Sequence, residues 1–553
     1  MAWDAELADG VLSRGVGSID ASDPILRQAI LPARLHRITA GHLASLYWII
    51  RTDQSEFSRQ WWMIPLVILG WSTFVLAEEF LFRGLLLPRM YRVFGKRDCF
   101  VNAFLFELYS IFQYWMVPFR FLEGWLLARA AKRHQSTWMA FVMRGVEGLA
   151  IGMLITVGVI SQPLTASPRL IEFPMISTRP APMTRYLGKL ADIPIYNPYS
   201  GALFQVDLRG ADLSSLDLRG RINDLSYADF DLHTIWPDKN QMPVNFDPTL
   251  VLEIGKNPGL GVRDLHAQGI TGKGVGVAII DQTLLTEHIE YTERLRWYEE
   301  LPGYPSPASF HGSAVASIAV GQTVGVAPEA DLYYIGGAGS QISTFWALGH
   351  QYAQAIRRII QINAQLPAEG KIRIISISSG WLPSLPGYQD ACRAVKEAGT
   401  AGMMVITTDA ATGMPSGVYA EGLGRPPTAD PVNLLSYTPG LWWANTFYAG
   451  TFQNTVERDN MLLFPMDSRT MASFTGASDY IFNRSGGQSW VVPYIAGLYA
   501  LTAQVDPAIT PQQFWNAAIQ AGKMIEIQHD GKIYTLGKII DPTELINIIK
   551  DSH

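Results

Sequence analysis

The feature that most limits what this chain can fold into is the uneven supply of apolar sequence. Residues 61–88 read WWMIPLVILGWSTFVLAEEFLFRGLLLP, and the first 17 of them carry no charge. Further apolar stretches follow at 100–118, interrupted by Glu107, at 119–130, and at 136–163, which contains Arg144 and Glu147. A bilayer interior about 30 Å thick takes roughly 20 apolar residues in a helix, so 61–88 is long enough for a tilted span. Four such stretches in close succession, with aromatic residues at several ends, predict a helical membrane bundle over 60–163 in preference to a buried helical domain. Residues 1–59 are polar to amphipathic, and their apolar run at 42–50 (HLASLYWII) is too short to span. The first 25 residues lack the basic start and apolar core of a cleavable signal peptide.

Bulk properties exclude several classes. Net charge is −6, so no basic excess points to nucleic acid. Two cysteines, Cys99 and Cys392, rule out a multi-disulfide scaffold and a four-cysteine zinc site. Residues 164–200 are rich in Pro, Ser and Thr and read as a linker. A short repeat follows, VDLRG-ADLSS-LDLRG, in which Asp207, Asp212 and Asp217 precede Leu208, Leu213 and Leu218. Its period resembles that of pentapeptide-repeat proteins, whose square right-handed β-helix turns such leucines inward. About one turn is present, and one turn must pack on something else to be stable. Residues 201–235 are therefore expected to be a spacer abutting the next domain, with an extended loop as the alternative.

From 250 onward, Val/Ile-rich runs at 274–281, 331–337, 372–379 and 403–408 alternate with helical spacing at 344–365 and 388–400. That pattern predicts an α/β domain with a mostly parallel sheet. Asp281 ends the first run, at the sheet edge where open α/β folds place their sites. GITGKGVGVAIID resembles the Asp motif of the subtilisin-like serine proteases (subtilases). HGSAVASIAVGQTVGVAPEA, headed by His311, resembles their His motif, with Ala314 where a second His is usual and Ser313 for Thr. SGGQSWVVPYIAGLYAL resembles their Ser motif: Gly487, Ser489, Pro493, Ala496 and Gly497 are in register, while Gln488, Trp490 and Val491 depart from it. The order Asp, His, Ser is that of subtilisins. The resemblance covers roughly 255–520 and implies a subtilisin-like mostly parallel sheet with helices on both faces, with Asp281, His311 and Ser489 as catalytic triad. It also implies a peptide-binding strand at Ser378, Ser379 and Gly380, where substrate adds by β-augmentation.

The oxyanion position departs from the pattern. The family places an Asn after a Gly, whereas MMVITTDAATG has no Asn, and Asp409 is the nearest polar candidate. Losing such a donor costs roughly 3–4 kcal/mol of transition-state stabilisation, on the order of a hundred- to thousandfold in rate. Calcium is frequent in this family, but no ligand cluster in this sequence is distinct enough to assign, and no other cofactor or metal is expected.

AEEFLFRG, with Glu78, Glu79 and Arg83, resembles the first motif of the CPBP (CAAX protease and bacteriocin-processing) membrane peptidases. In that family two later helices each add a His. Here Ser110 stands four residues after Phe106, and Arg144 stands at the start of the last motif. Both histidines are absent, which implies a degenerate bundle that no longer hydrolyses peptides. Arg89, Arg92, Lys96 and Arg97 after the first span, with Arg129, Lys132 and Arg133 later, place those turns in the cytoplasm and residues 250–553 outside it. Arg169, Arg179, Arg185 and Lys189 count against this orientation. The expected whole is an integral membrane protein with a bilayer and a peptide or protein as partners. It acts either as a serine endopeptidase or as a catalytically weak, membrane-tethered peptide-binding pseudoprotease.

Overall fold

The computed structural model describes residues 73, 75–109, 117–144, 173–184, 186–200, 202, 204–301, 306–337, 348–381, 383–384, 386–408, 419–451 and 461–552. The chain divides into two compact units between Pro168 and Arg169. In the first, a π-helical turn Phe80–Leu86 runs into α1 (Leu87–Phe94), followed by α2 (Asp98–Tyr109) and α3 (Val117–His134). Residues 137–144 are again helical. Leu87, Cys99, Leu127, Ala128, Ala131 and Ala140 form the core between them. Among the described residues no helix is long and apolar enough to cross a membrane. The reason lies in the sequence of α3, which carries Glu123, Arg129, Lys132 and Arg133. Residues 61–72 and 145–163 of the expected spans lie outside the described residues.

The second unit holds, in chain order, β1 (Met175–Ile176), β2 (Gly188–Lys189), β3 (Val206–Asp207), β4 (Ala211–Asp212) and β5 (Ala228–Asp231). Then come β6 (Gly276–Ile280), β7 (Leu295–Glu300), β8 (Asp331–Gly336), β9 (Ile372–Ile377) and β10 (Met404–Thr407). The last used here are β11 (Tyr419–Gly424), β12 (Thr438–Pro439), β13 (Met461–Pro465), β14 (Arg469–Ala472) and β15 (Tyr480–Asn483). A six-stranded, wholly parallel sheet runs β1-β7-β8-β6-β9-β10. Period-two alternation sends successive side chains to opposite faces. Val277 and Ile279 join the core shared with α4 (Phe310–Val320). Ala278 and Ile280 join the core shared with α5 (Leu348–Gln365) and α6 (Tyr388–Thr400). Because both faces are covered, the strands read as unbroken apolar runs. The central helix α7 (Gln488–Val505) lies on the α4 face and is buried from Trp490 to Ala503.

Two regions differ from the sequence expectation. Residues 173–189 do not form a free linker: β1 extends the sheet beside β7, and Ser177 N donates to Tyr298 O at 2.8 Å. Residues 188–235 form a short parallel coil, with 188 against 211, 206 against 228 and 212 against 235. Leu208, Leu213 and Leu218 are buried in it. Asp207, Asp212 and Asp217 each accept the backbone N–H two residues on, at 3.2, 2.9 and 3.2 Å. The coil is no detached spacer, because β5 pairs antiparallel with β15 and completes the four-stranded sheet β14-β15-β5-β3.

Candidate active site

Asp281 directly follows β6, and its N–H donates to Ile335 O at 3.2 Å. His311 is the second residue of α4, whose N-cap Ser309 accepts its N–H at 3.2 Å. Gly312 lets the two segments meet, since a Cβ there would lie 2.6 Å from both the Gln282 and Thr283 carbonyl oxygens. The result is a His311 Nδ1–Asp281 Oδ1 contact of 2.6 Å, with Asp281 Oδ1 also accepting Gln282 N at 2.7 Å. Burial disfavours the imidazolium. The Asp281 charge and its hydrogen bond outweigh that and raise the pKa of His311 above its ordinary value. With Nδ1–H given to Asp281, Nε2 is left as an acceptor.

Ser489 is the second residue of α7, capped by Gly487, so its N–H is among the helix amides without an intrahelical acceptor. Pro493 lies within α7 and has no N–H to give to the carbonyl four residues back, which is that of Ser489. The Ser378 hydroxyl fills that vacancy, donating to Ser489 O at 2.9 Å. In return Ser489 Oγ donates to Ser378 O at 3.2 Å. The Trp490 ring, where the subtilase pattern has Met, lies 5.4 Å from the His311 ring.

Ser378, Ser379 and Gly380 follow β9, and Ser379 O accepts Thr408 N at 3.1 Å, which ties this strand end to β10. Asp409 lies outside the described residues. The structure thus joins His311 to Asp281, and Ser489 to Ser378, at the carboxyl edge of the sheet.

Sequence reasoning missed three buried carboxylates close to Ser489. Burial pushes Asp229 up to about 7, Glu421 up to about 7 and Asp467 up to about 6. One signal was available: Asp467 follows the apolar run MLLFPM.

In the first unit Glu79 and Arg83 pair at 3.3 Å, both fully buried. Arg144 lies 2.8 Å from Glu78, 3.5 Å from Glu79 and 3.2 Å from Glu123. The guanidinium sits among the carboxylates where a metal would need them free. Among the described residues no group of three or more His, Cys, Asp or Glu is arranged to hold a metal ion. These residues do not fit a metal centre.

Residues 272–525 match the Subtilase family, and residues 60–147 match the family described as type II CAAX prenyl endopeptidase Rce1-like. Both a subtilase domain and a Rce1-like segment are therefore present. Subtilisin-like protease PopC of Myxococcus xanthus (strain DK1622) is 40% identical over 85 residues, which is 13% of this chain and 18% of that protein. The chain thus spans under a fifth of this relative. Prenylagaramide maturation protease PagA is 16% identical with a TM-score of 0.37, covering 52% of this chain and 98% of that one. A mutant of the PatA protease domain is 19% identical with a TM-score of 0.35, covering 51% and 98%.

Proposed function

We propose that this chain is a membrane-anchored serine endopeptidase that works through Asp281, His311 and Ser489. The observation carrying this is the 2.6 Å His311–Asp281 contact at the sheet edge that also holds Ser489 at the start of a buried helix. Ser489 Oγ turns from the Ser378 carbonyl to His311 Nε2 and attacks the scissile carbonyl carbon. As the Oγ–C bond forms, its proton passes to Nε2, and Asp281 holds the resulting imidazolium. The Ser489 N–H is aimed at the oxyanion. Collapse breaks the C–N bond while Nε2 returns the proton to the leaving amine. Water, deprotonated by the same imidazole, then releases the acyl group and restores Ser489. Peptide substrate is expected along 376–380, and Asp409 is the candidate oxyanion donor.

The Rce1-like segment serves, in this reading, as a non-hydrolytic anchor, with Arg144 filling the space between Glu78 and Glu79. The coil 188–235 is read as pentapeptide-like, and residues 250–553 as extracytoplasmic. The test is fluorophosphonate labelling of the purified chain and of Ser489→Ala. Labelling of the parent alone supports the enzyme. Labelling of neither, in folded protein, leaves the peptide-binding pseudoprotease. Protection of residues 250–553 from added protease on sealed cells overturns the orientation.

A further inference from the structure

The loop between β15 and α7 delivers Ser489, and alternate residues of it are held by buried carboxylates. Asp229 Oδ1 accepts Arg484 N at 2.9 Å and Asn483 Nδ2 at 3.1 Å. Asp467 Oδ1 accepts Gly486 N at 2.6 Å, and its Oδ2 accepts Leu441 N at 2.8 Å. Glu421 Oε2 lies 3.4 Å from Nε2 of Gln488, the residue before Ser489, while its Oε1 accepts Gly422 N at 2.8 Å. Exposure of the three is 1%, 2% and 5%. Burying a carboxylate is costly, and apolar residues fill such space at less expense. Three around one short loop point to a task beyond folding.

We propose that Asp467, with Asp229 and Glu421 beside it, is a positioning residue for Ser489: a carboxylate clamp that fixes the nucleophile loop and slackens when Asp467 takes up a proton. The proposal rests on Ser489 being the nucleophile. Asp467 is the sensitive member because each of its oxygens already accepts a backbone N–H, so a proton on either displaces one bond. Asp229 is different: its Oδ2 has no hydrogen-bond partner. A proton there leaves both bonds to Oδ1 in place. The charged and titratable groups facing Asp467 are Arg484 beyond β15, Glu421 on β11 and Tyr196 of the coil. Burial outweighs the attraction of Arg484 and pushes Asp467 upward.

The test uses the full chain in detergent with Asp467→Asn, Asp467→Ala, Asp229→Asn and Asp229→Ala. Two readouts are taken: the fluorophosphonate labelling rate from pH 5 to 9, and hydrogen exchange of peptides covering 483–490. Asn at 467 is the neutral twin of the protonated acid and turns an NH2 toward a backbone N–H. The D467N chain is expected to label about 10- to 100-fold more slowly at pH 8, the scale of loss that follows a small misplacement of a reacting group. Exchange over 483–490 is expected to accelerate. The acidic limb of the parent should fall with a slope of at least two protons, and that of D467N with one proton fewer. Asn at 229 should restore what Ala at 229 loses, because its amide oxygen serves both donors. Parental labelling by D467N, an unchanged slope, or unchanged exchange over 483–490 each overturns the proposal. If D467A does not fold, the isosteric D467N decides. If the parent does not label at all, the reading of Ser489 as nucleophile falls, and the exchange data alone decide whether the clamp exists.

Discussion

Replacing Ser378 with alanine removes the donor to the Ser489 carbonyl, an acceptor that Pro493 has left without its helical partner. A buried acceptor stripped of its donor costs about 1–3 kcal/mol. Ser378 is only 7% exposed, which favours the upper half of that range, about 2 kcal/mol. The same geometry specifies a rescue. Pro493→Ala creates an N–H at the position from which an α-helix donates to residue 489. In the Ser378→Ala background that N–H replaces the lost hydroxyl. In the parent background it only adds a second bond to a carbonyl already served. The double-mutant cycle should therefore show a coupling of about 1 kcal/mol, with the pair less damaging than the sum of the singles. Urea unfolding, followed by emission of the buried Trp297, Trp381, Trp443 and Trp515 of the second unit, measures it. Strict additivity, or an unfolding midpoint for Ser378→Ala equal to the parent's, refutes the argument that Ser378 stands in for the missing amide.

Two further outcomes are expected. His311 must be neutral to act as base, so labelling of Ser489 should be lost as pH falls through a value raised above the ordinary 6.5 for histidine. Asp281→Asn should cut the labelling rate by roughly 10⁴-fold through the wrong tautomer and move the acidic limb below 6.5, since only burial then acts on the ring; a limb that stays in place refutes the pairing. Leu213→Asp, in the full chain, puts a charge into the fully buried interior of the coil. Because β5 pairs with β15, labelling should be lost along with the coil; a variant that melts its coil by circular dichroism yet labels at the parental rate shows the coil to be a mere spacer.

The parts of the fold that were legible in the sequence are those where one physical rule acts alone. The strands β6, β8, β9 and β10 were readable because burial on both faces demands unbroken Val/Ile runs, and α6 because helical spacing ran uninterrupted over 388–400. Asp281, His311 and Ser489 stood out because strand ends and helix starts, in that order, hold them in a recognisable register. What failed to show was pairing between distant segments. The two residues of β1 are too few to carry a period, so 173–189 read as linker by its prolines, although its backbone hydrogen bonds are spent on the edge of the main sheet. Asp409 was chosen by elimination along one line of sequence, and that segment lies outside the described residues.

The coil makes the same point at the level of chemistry. Its leucines were legible because a five-residue period reports which side chains turn inward. Nothing in that period reports what the coil touches. Asp229 falls in the weakest copy of the repeat, where ADFDL replaces the stronger DLRG pattern. That copy is β5, the strand that meets β15, and the carboxylate displaced from the regular pattern is the one that grips Asn483 and Arg484. Arg209, from a regular copy, lies 5.4 Å from the Phe310 ring, which packs 5.9 Å from Trp490 and so two contacts from His311. A repeat under no constraint but its own packing has no reason to degrade at the strand that borders the nucleophile loop. The irregularity follows once the coil is treated as a wall of the active site, where residues 228–231 answer to β15 and to the loop beyond it before they answer to the repeat.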